Sequence, residues 1–232
     1  MAGARAPAGY VSALIAALIV AGSYLAGSIP VAQLVARYTK DLDLRDVGSG
    51  NVGASNVWQS VERWLVVPVG LAQIAQGLAG VLVARLAGHD AGVQALAGVA
   101  AVLAHDWNPW LGFTGGRGVG QTIGVLLGLS WPSLGVFIGV SLLGVASGWI
   151  PQFVALALFA APFGEIFFGD SAAAAWGAFA LAVIAMAKRV LANARPGPEL
   201  PRPGVWLTRL VYDRDTLDRD AWVRRGLPRT HD

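Results

Sequence analysis

The residues most suited to chemistry lie in a glycine-rich run, residues 48–56, which reads GSGNVGASN. Closely spaced glycines let successive backbone N–H groups point to one place and form an anion-binding nest. A helix beginning near Ser55 would add the positive end of its dipole, and Ser49 and Asn51 would add side-chain donors. The run therefore predicts a phosphate site, with a tight ligand-free turn as the alternative. Its candidate phosphate-binding residues are Gly48, Gly50, Gly53, Ser55 and Asn56.

The same run matches G-x-G-x-x-G, the fingerprint of dinucleotide-binding folds, but its surroundings exclude that interpretation. The fingerprint follows a β-strand and opens a βαβ unit, whereas an apolar segment precedes this run and no alternating strand pattern follows it. A Walker loop is excluded too, because no Gly-Lys-Ser or Gly-Lys-Thr follows. The phosphate nest is therefore predicted outside both nucleotide-binding folds.

A second glycine run, residues 115–118, reads GGRG and contains a cation. The guanidinium of Arg117 can bind a phosphate through two parallel hydrogen bonds; the alternative is a positive anchor at the end of a membrane span. His105, ten residues before the run, is a candidate general base or a hydrogen-bonding structural residue. The run adds three candidate phosphate-binding residues, Gly115, Gly116 and Gly118.

The composition excludes an ordinary soluble domain. Of the 232 residues, 55% are hydrophobic and only 13% are charged, against roughly 25% charged in soluble domains. The 30 glycines suit helices packed closely in lipid. The chain has no cysteine and three scattered histidines, so neither a thiolate metal site nor a zinc site is expected. These features predict an all-α integral membrane protein.

Apolar segments with few charges define the expected spans. Residues 10–36, 64–86 and 91–107 are each long enough to cross a bilayer, although a signal peptide is an alternative for the first. Residues 118–187 would hold four further spans, because breaks occur at Trp131-Pro132, from Gly148 to Pro151 and from Gly169 to Ser171. The prediction is about seven transmembrane helices.

The basic residues predict the orientation. With seven spans, the loop 37–63, the loop 105–117 and the C-terminal segment share one side, with four, one and ten Lys or Arg residues. The other side holds only Arg5 and Arg85. The positive-inside rule makes the first side cytoplasmic, and six spans would place the basic C-terminal segment outside.

The C-terminal part is expected to be a separate tail. The predicted division is a membrane domain over residues 1–194 and a charged cytoplasmic tail over 195–232. Residues 205–225 place apolar side chains among charges and could form an amphipathic helix on an anionic leaflet. The favoured expectation is a solvated, partly disordered tail.

Several of these segments together resemble one known family. They are GSIP at 27–30, DLR at 43–45, GSGNVGASNV at 48–57, His105, and LGFTGGRGV at 111–119. In order and spacing, from about residue 20 to residue 130, they closely resemble the acyl-phosphate:glycerol-3-phosphate acyltransferases of the PlsY type. The H-x-x-x-x-D motif of thioester-using glycerolipid acyltransferases is missing, because residue 110 is Trp.

The resemblance implies a seven-helix enzyme of the bacterial inner membrane. Such an enzyme moves a fatty acyl group from an acyl phosphate to the 1-hydroxyl of glycerol 3-phosphate and makes lysophosphatidic acid for phospholipid synthesis. It needs no cofactor and no metal, and its partners are the two substrates and membrane lipids, with no nucleic acid. The residues expected to carry the reaction are Ser49, Asn51, His105 and Arg117.

The sequence departs from the family pattern at functional positions. Gln59 stands where the family has an arginine that binds glycerol 3-phosphate, and the best alignment of the last motif puts Ala187 and Val190 where the family has His and Asn. Arg63, one turn after Gln59 on a continued helix, and Lys188 and Arg189 are candidates to compensate. The alternatives are a divergent paralogue that binds a phosphorylated lipid or metabolite, without catalysis or with another acceptor, and, with less support, a transporter.

Overall fold

Helices make up all the regular structure in the described part of the chain. The computed structural model describes residues 8–193 and 204–226, and no strand occurs within them. The helices, in chain order, are α1 (Ala8–Gly27), α2 (Val31–Lys40), α3 (Ala54–Ser60), α4 (Val66–Leu86), α5 (Ala91–Asp106), α6 (Val119–Leu129), α7 (Trp131–Ser147), α8 (Ile150–Phe168), α9 (Ala172–Leu191), α10 (Val205–Tyr212) and α11 (Arg219–Val223).

The first apolar segment, predicted as one span over 10–36, lies within one candidate span, Gly9–Lys40, that contains two helices. The chain breaks between Gly27 and Val31, where Pro30 cannot donate a backbone hydrogen bond. Nδ2 of Asn108 donates to the carbonyl of Ser28 at 2.6 Å and holds the break in place. The second piece, α2, is amphipathic and ends at Asp41, whose φ is 50°.

The helix breaks predicted between residues 118 and 187 are confirmed. Ser130 caps α7 by accepting from the backbone N–H of Ser133 at 3.1 Å, and Ser171 caps α9 by accepting from that of Ala174 at 3.2 Å. Gly148 ends α7 in a left-handed conformation, with φ of 77°. Local capping chemistry thus divides a long apolar stretch into α6, α7, α8 and α9.

Apolar helices form the bundle, and many large apolar side chains face outward. Leu14, Leu71, Leu142 and Phe167 are examples of side chains exposed on helix surfaces. Among the described residues, four helical segments are long and apolar enough to cross a membrane: Gly9–Lys40, Arg63–Leu86, Ile150–Phe168 and Ala172–Leu191. Helices α6 and α7 are apolar but shorter, so the count of seven spans stays a prediction.

Close helix packing brings the functional segments to one end of the bundle. Helix α5 contacts α1, α4, α6 and α9, and α4 and α6 approach so closely that a Cβ at Gly77 or Gly124 would overlap backbone of the other helix. The opposite end holds Glu165, which accepts from the hydroxyl of Ser130 and from the backbone N–H of Ser171. Because Glu165 is buried and hydrogen-bonded, it has a structural role at that end.

The described part of the C-terminal segment is folded against the bundle. Helix α10 packs on α8 and α9, and the carbonyl of Arg225 accepts from the N–H of Gly48 at 2.8 Å. The expectation of a solvated tail is therefore wrong for residues 204–226. The boundary predicted at residues 194 and 195 lies outside the described residues.

Candidate active site

The first glycine run is held together by the side chain of Asn56. This asparagine is fully buried, and its Nδ2 donates to the carbonyls of Leu44, Val47 and Asn51 at 2.9–3.1 Å. Its Oδ1 accepts from the N–H of Ser49 at 3.3 Å. The predicted phosphate ligand Asn56 thus stabilises the loop from within. Helix α3 begins at Ala54, one residue from the predicted start.

The second glycine run lies against the end of α5. The N–H of Gly116 donates to the carbonyl of His105 at 3.2 Å, and a Cβ at Gly116 would overlap Nε2 of His105. Gly118 has φ of 62° and begins α6. His105 is buried behind the loop, where its imidazole supports the glycine run from the side of α5.

The two runs touch each other and share one clamp, Asn193. The N–H of Val52 donates to the carbonyl of Gly115 at 3.1 Å. Nδ2 of Asn193 donates to the carbonyls of Gly50 at 2.8 Å and Gly115 at 2.7 Å, and its Oδ1 accepts from the N–H of Gly115 at 3.1 Å. The end of α9 therefore fixes the spacing of the two loops.

These contacts overturn part of the predicted anion nest. The N–H groups of Gly48, Gly50, Gly115 and Gly116 all donate to protein oxygens. An N–H group that closes a loop in this way cannot point at a ligand at the same time. In the closed loops, the donors offered to an anion are therefore mainly side chains.

Those side chains meet in a small polar recess between the loops and α9. The recess is lined by Ser49, Asn51, Arg117, Lys188, Ala192 and Asn193. The ammonium of Lys188 lies 5.2 Å from the centre of the Trp107 ring, a cation–π contact that holds it in place. Ser49, Asn51 and Arg117, predicted from the two separate runs, are thus brought together with Lys188.

A larger cavity of about 810 Å³ adjoins the recess and shares Ser49 and Arg117 with it. One wall is apolar, with Val154 and Leu158 from α8 and Ala185 and Met186 from α9. The remaining wall is polar and includes residues of the first loop, of α9 and of the C-terminal segment: Ser55, Gln59, Arg189, Asp213, Arg214 and Trp222. The recess itself holds only about 10 Å³, so an amphiphile with a phosphate head would lie in the larger cavity, with its head beside Ser49 and Arg117.

Several polar atoms of the larger cavity have no hydrogen-bond partner among the described residues. Apart from Nε of Arg189 and Oδ1 of Asp213, which form an ion pair, they are Oε1 of Gln59, Oε1 of Gln152, Nε of Arg214 and Nε1 of Trp222, all shielded from solvent. Buried polar atoms normally find partners. Two acceptors and two donors in one cavity wall therefore match a ligand that carries hydroxyl groups.

Asp213 brings a carboxylate to the cations of the site. Its Oδ1 lies 2.7 Å from Nε of Arg117 and 3.3 Å from Nε of Arg189. Burial raises the pKa of the Asp213 carboxyl, while the charges of Arg117 and Arg189 act in the opposite direction. No sequence motif marks Asp213, because it is one of many charges in the C-terminal segment.

Two predicted residues lie away from the recess. Ser55 is exposed at the rim of the larger cavity. Arg63 is not on a continued helix with Gln59, because α3 ends at Ser60 and Arg63 begins a separate 3-10 turn. The guanidinium of Arg63 lies 5.8 Å from the centre of the Trp58 ring and is exposed. The hypothesis that Arg63 replaces the arginine lost at position 59 is not supported by this placement.

An ion pair beside the first loop ties it to the second. Nε and Nη2 of Arg45 donate to Asp43 at 2.8 Å and 2.6 Å, and Nη1 donates to the carbonyl of Leu111 at 3.2 Å. The hydrogen bonds from Arg45 lower the pKa of Asp43 to about 2. Within the described residues, no group of three or more His, Cys, Asp or Glu side chains forms a metal site.

Comparison with known proteins identifies the family. The sequence profile described as glycerol-3-phosphate acyltransferase matches residues 17–195. The chain belongs to this family. The match includes both glycine runs and all of α9, whereas α10 and α11 lie beyond it.

Relatives within the acyltransferase family match over different lengths. A glycerol-3-phosphate acyltransferase of Synechococcus sp. (strain CC9902) is 42% identical over 127 residues, 53% of this chain and 64% of the relative. Thus the chain spans less than two thirds of that protein. Glycerol-3-phosphate acyltransferase 4 of Dehalococcoides mccartyi (strain CBDB1) is 29% identical over 228 residues, 90% of this chain and 93% of the relative.

A solved structure of the acyltransferase family has the same fold. The crystal structure of PlsY (YgiH), an integral membrane glycerol 3-phosphate acyltransferase in its glycerol 3-phosphate form, matches with a TM-score of 0.70 and 28% identity. The alignment covers 78% of this chain and 96% of that chain. With its apolar helices and this fold, the protein is a multi-pass integral membrane protein.

Proposed function

We propose that the protein transfers a fatty acyl group from an acyl phosphate to the 1-hydroxyl of glycerol 3-phosphate. The observation that carries the proposal is the cationic recess opening into a cavity with an apolar wall. Family membership supports the same reaction class. The glycerol 3-phosphate form of the related crystal structure supports glycerol 3-phosphate as one substrate.

The two substrates divide the site between them. Arg117 and Lys188 bind phosphate oxygens, with Ser49 and Asn51 as further hydrogen-bonding groups. The acyl chain lies along Val154, Leu158 and Met186 on the apolar wall. Glycerol hydroxyls reach the unpartnered Oε1 of Gln59. Holding two anionic substrates together is the main task, because an acyl phosphate is already activated.

The reaction then needs little covalent help from the protein. The 1-hydroxyl oxygen attacks the acyl carbon, an ester bond forms and the bond from acyl carbon to phosphate oxygen breaks. The phosphate leaves with the bonding electron pair and takes the hydroxyl proton as hydrogen phosphate. Arg117 and Lys188 stabilise the charge that grows on this leaving group. His105 acts as a positioning residue behind Gly116.

The proposed location is the bacterial inner membrane, with both loops and the C-terminus in the cytoplasm. The distribution of basic residues supports this orientation. The active end would then face the compartment that holds glycerol 3-phosphate, while the apolar cavity wall lies among α8 and α9.

Direct turnover tests the proposal. Full-length protein in nanodiscs receives palmitoyl phosphate and labelled glycerol 3-phosphate, with Asn51→Ala as the site variant and Asp170→Asn, at the opposite end, as the control. We expect labelled lysophosphatidic acid from the wild type and the control, and at least about 100-fold less from the site variant. Folded wild-type protein that binds glycerol 3-phosphate but makes no product would refute acyl transfer and support the divergent paralogue.

A further inference from the structure

The C-terminal segment, residues 204–226, completes the larger cavity although it lies outside the family match. The region matched by the family profile ends at residue 195. Yet the segment contributes Tyr212, Asp213, Arg214, Arg219, Trp222 and Val223 to the cavity wall. The segment therefore supplies a wall of the cavity from beyond the region that the family profile matches.

The segment is held in place at both ends. Near its start, Nη1 of Arg209 donates to the carbonyls of Val190 and Leu191 at 3.2 Å and 3.3 Å. Near its end, the carbonyl of Arg225 accepts from Gly48, and a Cβ at Gly50 would lie 2.6 Å from Nη2 of Arg225. These anchors do not involve Asp213, so the segment can stay docked when the Asp213 side chain is changed.

Between these anchors, Asp213 presents its carboxylate to the cations expected to bind phosphate. The residue ends α10 with φ of 59°, a left-handed conformation that turns the chain toward the site. Besides its two ion pairs, Nη2 of Arg117 donates to the Asp213 carbonyl at 3.3 Å. Carboxylate and phosphate oxygens bind a guanidinium in the same manner. The Asp213 carboxylate thus occupies, through its ion pair with Arg117, the position of a negative charge that a phosphate would bring.

We propose that Asp213 is an internal competitor for the phosphate site and sets the affinity of this protein for phosphorylated substrates. The inference rests on the proposed function in taking Arg117 as a phosphate ligand. In the empty site, Asp213 balances two largely buried guanidinium groups, which would be costly to leave unpaired. A phosphate must displace this carboxylate. The apparent affinity for phosphate is therefore the intrinsic affinity multiplied by the fraction of molecules in which Arg117 is free.

The competitor also acts as a filter. A dianionic phosphate offers more charge and more acceptor oxygens than the carboxylate it replaces, whereas a monocarboxylate offers neither advantage. Asp213 therefore favours phosphorylated ligands over carboxylic acids, including free fatty acids present in the same membrane.

Ligand binding by charge variants tests the inference. Full-length protein in nanodiscs is titrated separately with glycerol 3-phosphate and with inorganic phosphate, comparing wild type, Asp213→Asn and Asp213→Glu. Asp220→Asn, an exposed carboxylate of the same segment, is the matched control. We expect Asp213→Asn to bind both ligands about tenfold more tightly, and Asp213→Glu and the control to bind like the wild type. Unchanged or weaker binding by Asp213→Asn would overturn the proposal and make Asp213 a support for Arg117.

A stability measurement covers the case in which Asp213→Asn folds less well. Thermal midpoints are taken with and without saturating phosphate. We expect Asp213→Asn to melt lower than wild type when empty and to gain more on adding phosphate, because phosphate replaces the missing counter-charge. An equal or smaller gain would contradict the competitor role.

One more variant separates the two proposals. Arg117→Ala should lose phosphate binding if the proposed site is right. Loss of binding in Arg117→Ala without tightening in Asp213→Asn would refute only the competitor role. Tightening in Asp213→Asn with no lysophosphatidic acid formed would refute only the acyl transfer.

Discussion

Lys188 reaches the recess from the last turn of α9, where the Trp107 ring holds its ammonium. Arg117 already has Asp213 as a partner, whereas Lys188 makes no ion pair within 4.0 Å of a described carboxylate. The buried carboxyl of Asp106 is near enough to act electrostatically on Lys188, so Lys188 differs from Arg117 in having no direct ion pair rather than in having no counter-charge. Because Lys188 and Arg117 differ in their ion-pair partners, Lys188 is the first residue to test.

Two replacements of Lys188 separate the effect of its charge on activity from the effect of its side-chain shape. We expect Lys188→Met, which keeps the length of the side chain, to lower kcat/KM for glycerol 3-phosphate about 100-fold, because one charge on the leaving phosphate loses its stabilisation. Lys188→Arg should retain roughly a tenth of the activity. Initial rates with labelled substrate measure both. A Lys188→Met enzyme with wild-type kcat/KM would remove Lys188 from the site.

Asn193 acts through geometry rather than through charge. Its amide joins Gly50 to Gly115, and Ala192, with φ of 51°, turns the chain so that this contact forms. We expect Asn193→Ala to lower kcat about 30-fold with a smaller change in KM, since the loops lose their spacing. Asn193→Asp should be worse, because a carboxylate would face two carbonyl oxygens. An equal loss of kcat in both variants would contradict the proposed role of the Asn193 amide in joining the two loops.

Sequence reasoning found the residues that lie in motifs and missed those defined by tertiary contacts. Ser49, Asn51 and Arg117 lie in glycine runs whose composition signals a site, and all three line the recess. Asp213 could not be found, because only the docking of a distant segment brings it to Arg117. The hypothesis for Arg63 assumed that α3 continues past Ser60, whereas the helix ends there and Arg63 begins a separate turn.

At the scale of elements, the loop 41–53 depends on the pair of Asp43 and Arg45. This pair fastens the loop to the carbonyl of Leu111, just before the second glycine run. The break before α2 was missed because residues 10–36 are uncharged throughout and were therefore assigned to one span, although Gly27, Ser28 and Pro30 mark the break. The later breaks were predictable because proline, glycine and serine coincide there with helix caps. Element boundaries therefore followed capping chemistry more closely than hydropathy.

The same pair predicts a dependence of stability on pH. The pKa of Asp43 falls from 3.8 to about 2 on folding, so its contribution is complete above about pH 4 and disappears as the pH falls toward 2. Solvent screening limits this contribution to about 1 kcal/mol. Asp43→Asn should melt lower than wild type at pH 6, and the difference should shrink at pH 3. A constant difference across this range would show that charge is not the cause.

At the scale of the whole molecule, the two ends of the bundle have different chemistry. One end gathers both glycine runs, the start of α8 and the end of α9 around the cavities. The other gathers Ser130, Glu165 and Ser171, and there Arg85 donates to the carbonyl of Gly128. Helices α4 to α9 run alternately between these ends, and which end faces the cytoplasm stays a prediction.

Cysteine labelling can test that sidedness, because the natural chain contains no cysteine. Single variants are made at exposed positions: Leu217→Cys in the C-terminal segment, and Ala87→Cys and Asp170→Cys in turns at the opposite end. In cells whose inner membrane is intact and whose outer membrane has been permeabilised, a membrane-impermeant maleimide should label positions 87 and 170 but not position 217. Inverted vesicles should give the reverse pattern. If positions 87 and 217 are labelled from the same face, the chain crosses the membrane an even number of times between them. Labelling of both in intact cells would place the proposed active end on the side opposite to the supply of glycerol 3-phosphate.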